Sequence, residues 1–205
     1  MSGVSMFAAE GPVGEASGWF IENAWLIPLV PGIAFFLILF VGKRLPRGGS
    51  EIGIASMVAS LTVSAGAAWQ LIGAIDDQKK LNGNYEIEPY ISEITWWQSH
   101  PFEFGLGQQV DGLSVMVLLL VSFISTLVQV YSTEYVKGDR RYTHFFAALT
   151  LFSAGMLAMV IAPNMVQLIL GWEIMGLCSF LLIGHWWEER ANSEAALKAF
   201  WTVRV

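Results

Sequence analysis

Long apolar segments alternate with short polar ones along this chain. An α-helix rises about 1.5 Å per residue, so about 20 apolar residues cross the ~30 Å hydrocarbon core of a bilayer. Five segments approach or exceed that length: Ala24–Val41, Ile52–Ile75, Leu113–Tyr131, Phe145–Ala162 and Asn164–Trp187. A sixth helix is predicted to begin with Asn192 or Ser193 as its N-cap. Because the sequence stops inside that helix, we expect a piece of a longer polypeptide.

The one long polar interruption, residues 76–111, carries a β-strand pattern. IEPYISEITWW and HPFEFGLGQQVDG contain β-branched and aromatic residues in rough alternation, with Gly and Pro breaks, which predicts a short hairpin. Asp111 then stands where it would N-cap the third span. The predicted fold is an all-α polytopic transmembrane helix bundle with a short extramembrane β-hairpin. Its predicted segments are an N-terminal lead-in (1–23), transmembrane helices 1 and 2 (24–75), an extracytoplasmic loop with the hairpin (76–111), transmembrane helices 3 to 5 (112–187), and a cytoplasmic turn with the start of helix 6 (188–205).

Composition supports the membrane assignment. Of the 205 residues, 55% are hydrophobic and only 14% are charged, whereas soluble domains carry about 25% charged residues. The net charge of −6 comes without a basic stripe or tail, so we expect no nucleic-acid partner. The single cysteine, Cys178, excludes an internal disulfide framework and a multi-cysteine metal site within this sequence.

The basic residues predict the orientation. Seven lie in alternate connections that would share one side of the membrane, namely Lys43, Arg44, Arg47, Lys137, Arg140, Arg141 and Arg190. The opposite side has only Lys79 and Lys80, in the long loop. Cytoplasmic loops carry the excess of Lys and Arg, so the pattern predicts a cytoplasmic location for the first set and an N-terminus outside.

Glu173 is the one acid within the fifth apolar segment, about nine residues or some 13 Å from its start. An ionisable group at that depth costs roughly 2.5–3.5 kcal/mol on insertion scales and is a functional-site hypothesis by default. A carboxyl that carries a proton against about 150–200 mV works against roughly 3.5–4.6 kcal/mol, so its pKa must change by about three units between loading and release. The other interpretation is a structural carboxyl that is hydrogen-bonded across helices.

Two basic residues of the sixth helix are candidate partners. Lys198 is either the i,i+4 partner of Glu194 at the cytoplasmic surface or part of an internal relay. Arg204 lies about 9 Å further along, deeper in the membrane, and an acid on a helix beyond this sequence would suit it as a partner.

Other polar residues give weaker signals. His185, Glu188 and Glu189 have metal-ligand chemistry, but a histidine among tryptophans at an interface is more typical of a boundary residue. His144 belongs to the basic rim, with proton entry as its alternative role. We find no haem, iron–sulfur, flavin or phosphate-binding motif in these residues.

The stretch LILGWEIMGLCSFLLIGHWW is similar to the signature of the fifth helix in the antiporter-like subunits of respiratory complex I. It resembles above all the L subunit at the distal end of the membrane arm. DGLS, YSTEYV, RRYTHFFAALTLFSAGMLAMVIAPNMVQL and ALKAFWTVRV resemble further family segments. The resemblance covers about residues 96–205, with departures at Pro163 and Val203.

The resemblance implies a proton-translocating subunit of an NADH:quinone oxidoreductase. It implies that Glu173 is essential to pumping and pairs with a lysine on the seventh helix, and that Arg204 supports it, so Glu173, Lys198 and Arg204 are the candidate catalytic residues. NADH, flavin, iron–sulfur clusters and quinone are expected in partner subunits, with protons and membrane lipid as this chain's own contacts. The expected location is an energy-transducing membrane, the bacterial cytoplasmic membrane above others. The alternatives are the large subunit of a multisubunit Na⁺/H⁺ antiporter and a truncated, non-conducting assembly subunit.

Overall fold

A computed structural model describes residues 14–15, 17–82, 87–99 and 102–204. Within them, a short helix precedes six longer ones, and four strands form two small sheets. The helices are α1 (Trp19–Glu22), α2 (Leu26–Val41), α3 (Ser50–Asn82), α4 (Gly112–Tyr135), α5 (Tyr142–Val160), α6 (Met165–Ile183) and α7 (Arg190–Arg204). The strands are β1 (Gly14–Glu15), β2 (Ile87–Glu88), β3 (Tyr90–Ser99) and β4 (Phe102–Val110).

The predicted multi-pass helical architecture is confirmed. Helices α2 to α6 are each long and apolar enough to cross a membrane. Two boundaries differ from the sequence prediction. Helix α3 has 33 residues, about 50 Å, and continues through residues 76–82, which the sequence pattern assigned to a loop. Helix α7 begins at Arg190 rather than after Asn192 or Ser193, because these two side chains instead donate hydrogen bonds back to the carbonyls of the preceding turn.

Helix α5 is the centre of the bundle. Half of the apolar segment of α5 is buried, whereas only 17% of the apolar segment of α6 is buried. Helix α5 packs against α2, α3, α4 and α6. Phe146 and Leu157 are fully buried near its two ends. They belong to two separate apolar clusters, one at the basic end of the bundle and one beneath the hairpin.

Helix α3 packs through its small residues. Ser56, Ser60, Ser64 and Ala67 are buried at spacings of three to four, which defines one face of a helix. The Ser60 hydroxyl donates to the Ile27 carbonyl of α2 at 2.8 Å. Small side chains allow this close approach of the two helices. Within the described residues, the packing buries one face of α3 and leaves its other face exposed.

The predicted hairpin is confirmed. Strands β3 and β4 pair antiparallel from Tyr90 opposite Val110 to Ser99 opposite Phe102, with an irregularity between Thr95 and Trp97. Asp111 follows the hairpin and caps α4 as predicted, since its carboxylate accepts from the backbone N–H of Ser114 at 2.6 Å.

Three glutamines fasten the hairpin end to the helices. Gln167, in the first turn of α6, donates to the Gly107 carbonyl and accepts from the Gly107 N–H, both at 2.9 Å. Gln108 of β4 accepts from the Trp25 N–H and donates to the Glu22 carbonyl, both at 2.6 Å. Gln70 of α3 accepts from two backbone N–H groups of α1. Each glutamine therefore satisfies backbone groups that a helix end or strand edge leaves unpaired.

Helices α5 and α6 cross at a pair of glycines, Gly155 and Gly171. A Cβ added to Gly171 would lie 2.9 Å from the Gly155 carbonyl oxygen and 3.0 Å from the Met159 amide nitrogen. Both neighbours are backbone atoms, so a side chain here would force the two helices apart. This crossing fixes the height and rotation of α6, two residues before Glu173.

We expect Gly171→Ala to destabilise the protein by about 1–3 kcal/mol, because the added methyl group overpacks a backbone contact. Gly32→Ala is the matched control, since nothing lies within 4 Å of a Cβ built at that position of α2. The control should be neutral or stabilising by up to about 1 kcal/mol. The measurement is the free energy of unfolding in detergent micelles; equal losses in both variants would contradict the close crossing.

Candidate functional site

Glu173 lies at the middle of a membrane-spanning helix. It is the ninth of the 19 residues of α6, so about 13 Å of helix lies on either side of it. Its side chain is 41% exposed and faces α7. The sequence-based depth therefore agrees with the helix that forms.

Arg204, near the end of α7, pairs with Glu173. Its Nη2 lies 2.7 Å from Glu173 Oε2, a distance typical of a charge-assisted hydrogen bond. The sequence left open an acid on a further helix as the partner of Arg204; among the described residues its partner is Glu173. The turn of residues 184–189 folds α7 back along α6. The 15 residues of α7 return the chain about 21 Å, which brings the Arg204 guanidinium to the level of the carboxylate.

Residues next to Glu173 and Arg204 hold α6 and α7 close together beside this ion pair. Trp172 donates its indole N–H to the Val203 carbonyl at 3.4 Å, which ties α6 to α7 one residue away from each charge. Gly176 leaves room for Val203, whose Cγ1 would lie 3.5 Å from an added Cβ. The Arg204 guanidinium also lies over the ring of Phe200, 4.5 Å from its centroid, a cation–π contact. The arginine is therefore held by a carboxylate and an aromatic ring.

Lys198 is not brought to Glu173. It is exposed on α7 and makes no ion pair among the residues that the structure describes. The proposed pair with Glu194 does not form, because Glu194 accepts from Arg190 at 2.8 Å instead. Of the three candidate residues, the structure brings Glu173 and Arg204 together and leaves Lys198 about 9 Å along the helix from Arg204.

A second polar cluster, which we call the rim latch, joins the α4–α5 turn to the α6–α7 turn at the basic end. It consists of Asp139, Arg141, His185, Trp186 and Glu188. The Asp139 carboxylate accepts from the Trp186 indole at 2.8 Å, contacts His185 Nε2 at 3.2 Å and accepts from the Arg141 backbone N–H at 2.7 Å. The Arg141 guanidinium donates to Glu188 at 2.7 Å.

Hydrogen bonds within the rim latch favour the ionised forms of Asp139 and Glu188. The backbone N–H of Arg141 lowers the pKa of Asp139 against the opposing effect of burial, and the Trp186 and His185 side chains lower it further. The hydrogen bond from the Arg141 side chain lowers the pKa of Glu188. Asp139 had no distinguishing signal in the sequence, since a lone acid in a polar turn is ordinary.

The metal interpretation of His185, Glu188 and Glu189 finds no support in the geometry. His185 is only 8% exposed and bonds Asp139, whereas Glu188 bonds Arg141 and Glu189 accepts from Asn192. No group of three potential ligands converges anywhere in the described ranges. His144 is exposed and lines a cavity of about 390 Å³ together with the basic residues of the rim.

We expect Asp139→Asn to lower the thermal midpoint at pH 7 and to have a smaller effect at pH 3. The folded state holds the pKa of Asp139 below its ordinary value of 3.8, so its stabilising contribution is present above that pH and is lost as the pH falls through the lower, folded value. Glu134→Gln, an exposed rim acid paired with Lys137, is the control and should change little at either pH. An Asp139→Asn effect that is the same at pH 7 and pH 3 would contradict a role for the charge.

Two family models match the chain. The model described as "NADH-Ubiquinone oxidoreductase (complex I), chain 5 N-terminus" matches residues 96–146, which run from the hairpin into α5. The model described as "NADH:quinone oxidoreductase/Mrp antiporter, TM" matches residues 162–205. The second match contains α6 and α7 and therefore both members of the Glu173–Arg204 pair.

Curated relatives agree with the models. F(420)H(2) dehydrogenase subunit L of Methanosarcina mazei is 35% identical over 90% of this chain and 25% of its own length. NAD(P)H-quinone oxidoreductase chain 5 of Synechocystis is 33% identical over 90% of this chain and 26% of its own. The chloroplastic subunit 5 of Chlorokybus atmophyticus is 36% identical over 89% and 27%. The chain thus spans about a quarter of the length of these relatives, and with the matched models and its multi-pass helices it belongs to the family of antiporter-like chain 5, or L, membrane subunits.

Proposed function

We propose that this chain takes part in proton translocation within the membrane arm of a quinone-reducing oxidoreductase, and that Glu173 carries or switches the proton. The observation that supports the proposal most is the ion pair with Arg204, formed at mid-depth of a membrane-spanning helix. Charges are costly at that depth, and an acid that bonds a cation on a neighbouring helix can change its proton affinity when the two helices move apart.

The proposed mechanism has two states of the pair. With Arg204 at 2.7 Å, the carboxylate is stabilised by an opposite charge and releases its proton. When the pair opens, the carboxyl loses its partner in a medium of low dielectric and takes up a proton instead. Arg204 stays charged in both states, so the proton resides on Glu173 and the arginine acts through its position.

Lys198 has a separate role in this proposal. It lies on the same helix as Arg204, about 9 Å away, and makes no ion pair among the described residues. When α7 shifts, the Lys198 ammonium group can attract the Glu173 carboxylate in place of Arg204. This is the relay role that the sequence left open.

The electron-transfer chemistry is assigned to partner subunits. The relatives are named as subunits of NAD(P)H-quinone and F(420)H(2) dehydrogenases, so we infer a multisubunit complex whose NADH or F(420)H(2) site, flavin, iron–sulfur clusters and quinone lie in other chains. The electron donor differs between these names, and NADH is our proposal on the strength of the first family model.

We further propose that the basic end of the bundle faces the cytoplasm of a bacterium and that the N-terminus lies outside. The two ends of the bundle differ in charge as the sequence pattern requires. The α2–α3 and α4–α5 connections carry Lys43, Arg47, Lys137 and Arg141, and Arg190 begins α7 at the same end. The other end carries the hairpin, with Lys79 and Lys80 in the last turn of α3.

A sodium/proton antiporter is the second candidate, because the family model for residues 162–205 covers Mrp antiporters as well as oxidoreductases. A non-conducting assembly subunit is the third. Pumping assays in the presence and absence of sodium distinguish the first two, and the variants below distinguish the third.

Glu173→Ala should leave the complex assembled and reduce redox-driven proton pumping to less than roughly a tenth, because Glu173 is the carboxylate that pairs with Arg204 among the described residues. Glu173→Asp keeps the carboxyl on a shorter side chain and should retain part of the pumping. Acidification of membrane vesicles, normalised to the amount of assembled complex, is the measurement.

Glu194→Ala is the matched control, since it removes a carboxylate from the neighbouring helix where it bonds Arg190. It should pump at the parental rate. Parental pumping by Glu173→Ala would refute the carrier role, and parental pumping with assembled complex in every variant would favour the assembly subunit.

The orientation is tested by cysteine labelling in a Cys178→Ser background. A cysteine at Arg140, in the basic rim, should react with a membrane-impermeant reagent only from the cytoplasmic side. A cysteine at Leu81, which is 76% exposed at the other end of α3, should react only from outside. The reverse pattern would overturn the proposed orientation.

A further inference from the structure

A groove along α3 opens at the basic rim. Its volume is about 1100 Å³. The wall on α3 runs from Ser50 to Thr62, about 18 Å. That is slightly more than half of the ~30 Å hydrocarbon core, so the groove is as deep as one leaflet.

The deep part of the groove is apolar and made of small side chains. Ile54, Ala55, Val58 and Ala59 line it, with Thr62 at its inner end. Thr62 presents little polarity, because its hydroxyl donates to the Ala59 carbonyl at 2.7 Å within its own helix. A hydrocarbon chain fits such a wall, whereas a hydrated ion or a polar metabolite does not.

The mouth of the groove is charged. Arg47 and Lys137 reach it from the α2–α3 and α4–α5 turns. Within the described part of the chain, Arg47 pairs with Glu51 at 3.6 Å and Lys137 pairs with Glu134 at 2.9 Å. These pairs are solvent-exposed, so they are weak and exchangeable. Tyr142 also lines the groove.

A second cavity adjoins the mouth and adds positive charge. It shares Gly48 and Tyr142 with the groove and is also lined by Lys43 and Arg140. Neither of these two cations has an ion-pair partner among the described residues. The acid of this cavity, Asp139, is already bonded to Arg141, His185 and Trp186, so the rim keeps an excess of uncommitted positive charge.

We propose that this groove binds an anionic phospholipid from the leaflet on the basic side. The acyl chains lie along Ala55, Val58 and Ala59, and the phosphate lies between Arg47 and Lys137. An apolar wall one leaflet deep beneath a cationic mouth complements an amphipathic molecule with an anionic head, and basic pockets between membrane helices bind such headgroups. The proposal stands independently of the proton-carrier role of Glu173.

The test measures lipid retained by the purified protein in its native assembly after delipidation and incubation with equal amounts of phosphatidylglycerol and phosphatidylcholine. Co-purifying lipid is quantified by mass spectrometry. Each basic side chain near an anionic surface is worth roughly fivefold in affinity. Parental protein should therefore prefer phosphatidylglycerol, and the double variant Arg47→Gln/Lys137→Gln should bind it about 25-fold more weakly.

Two control variants separate the parts of the site. Lys79→Gln/Lys80→Gln removes the same charge from the opposite end of α3 and should leave binding unchanged. Ala55→Trp fills the exposed apolar wall and leaves the cations in place, so it should also release the lipid. A photoactivatable residue at Val58, which is 44% exposed, should crosslink to lipid.

Three results would overturn the proposal. The first is equal phosphatidylglycerol binding by the parental protein and the Arg47→Gln/Lys137→Gln variant. The second is displacement by millimolar inorganic phosphate together with normal binding by Ala55→Trp, which would indicate a site for a free anion. The third is crosslinking of Val58 to a protein segment, which would show that a helix covers the groove.

Discussion

The arrangement of α5, α6 and α7 depends on bringing two opposite charges together inside a hydrocarbon layer. A lone carboxylate or guanidinium at mid-membrane is expensive, whereas Glu173 and Arg204 at 2.7 Å each reduce the cost of the other. The pair requires α7 to turn back along α6 and requires α6 to sit at one height against α5. Gly171 supplies the second condition by its backbone contact with Gly155.

The two ends of α6 are held in different ways. At the hairpin end, Gln167 makes two hydrogen bonds of 2.9 Å to Gly107, so the helix is tied to a strand by neutral groups. At the basic end, the rim latch uses ionised groups, with Asp139 at its centre. Helix α7 is held by its turn and by contacts near Arg204, and it exposes Leu197 and Trp201.

The sequence predicts the parts of this structure that depend on local composition. Apolar length predicts the five spans, alternation predicts the hairpin, and Asp111 is recognisable as a cap because it directly precedes an apolar helix. The extension of α3 to Asn82 is missed because its last turns are polar, and a prediction based on apolar length ends where the apolar residues end. The sequence offers both Lys198 and Arg204 as partners of Glu173, but it does not choose between them, and it does not show the glutamine contacts. The choice of partner and these contacts depend on the turn between helices and on the direction of long side chains, which spacing in one chain does not specify.

The Glu173–Arg204 pair and the groove along α3 belong to different helices that both pack on α5. Glu173 lies on α6 and faces α7, whereas the groove is lined by α3. Gln129 of α4 donates to Thr150 of α5 at 3.2 Å, and both side chains abut Gly53 of α3, so these three helices meet at a polar contact with little free space. A lipid that stiffens α3 would act on α6 only through α5, whose buried face is the largest in the bundle. Because packed interiors have low compressibility and transmit strain, a change in the packing of α3 would reach α6 through α5.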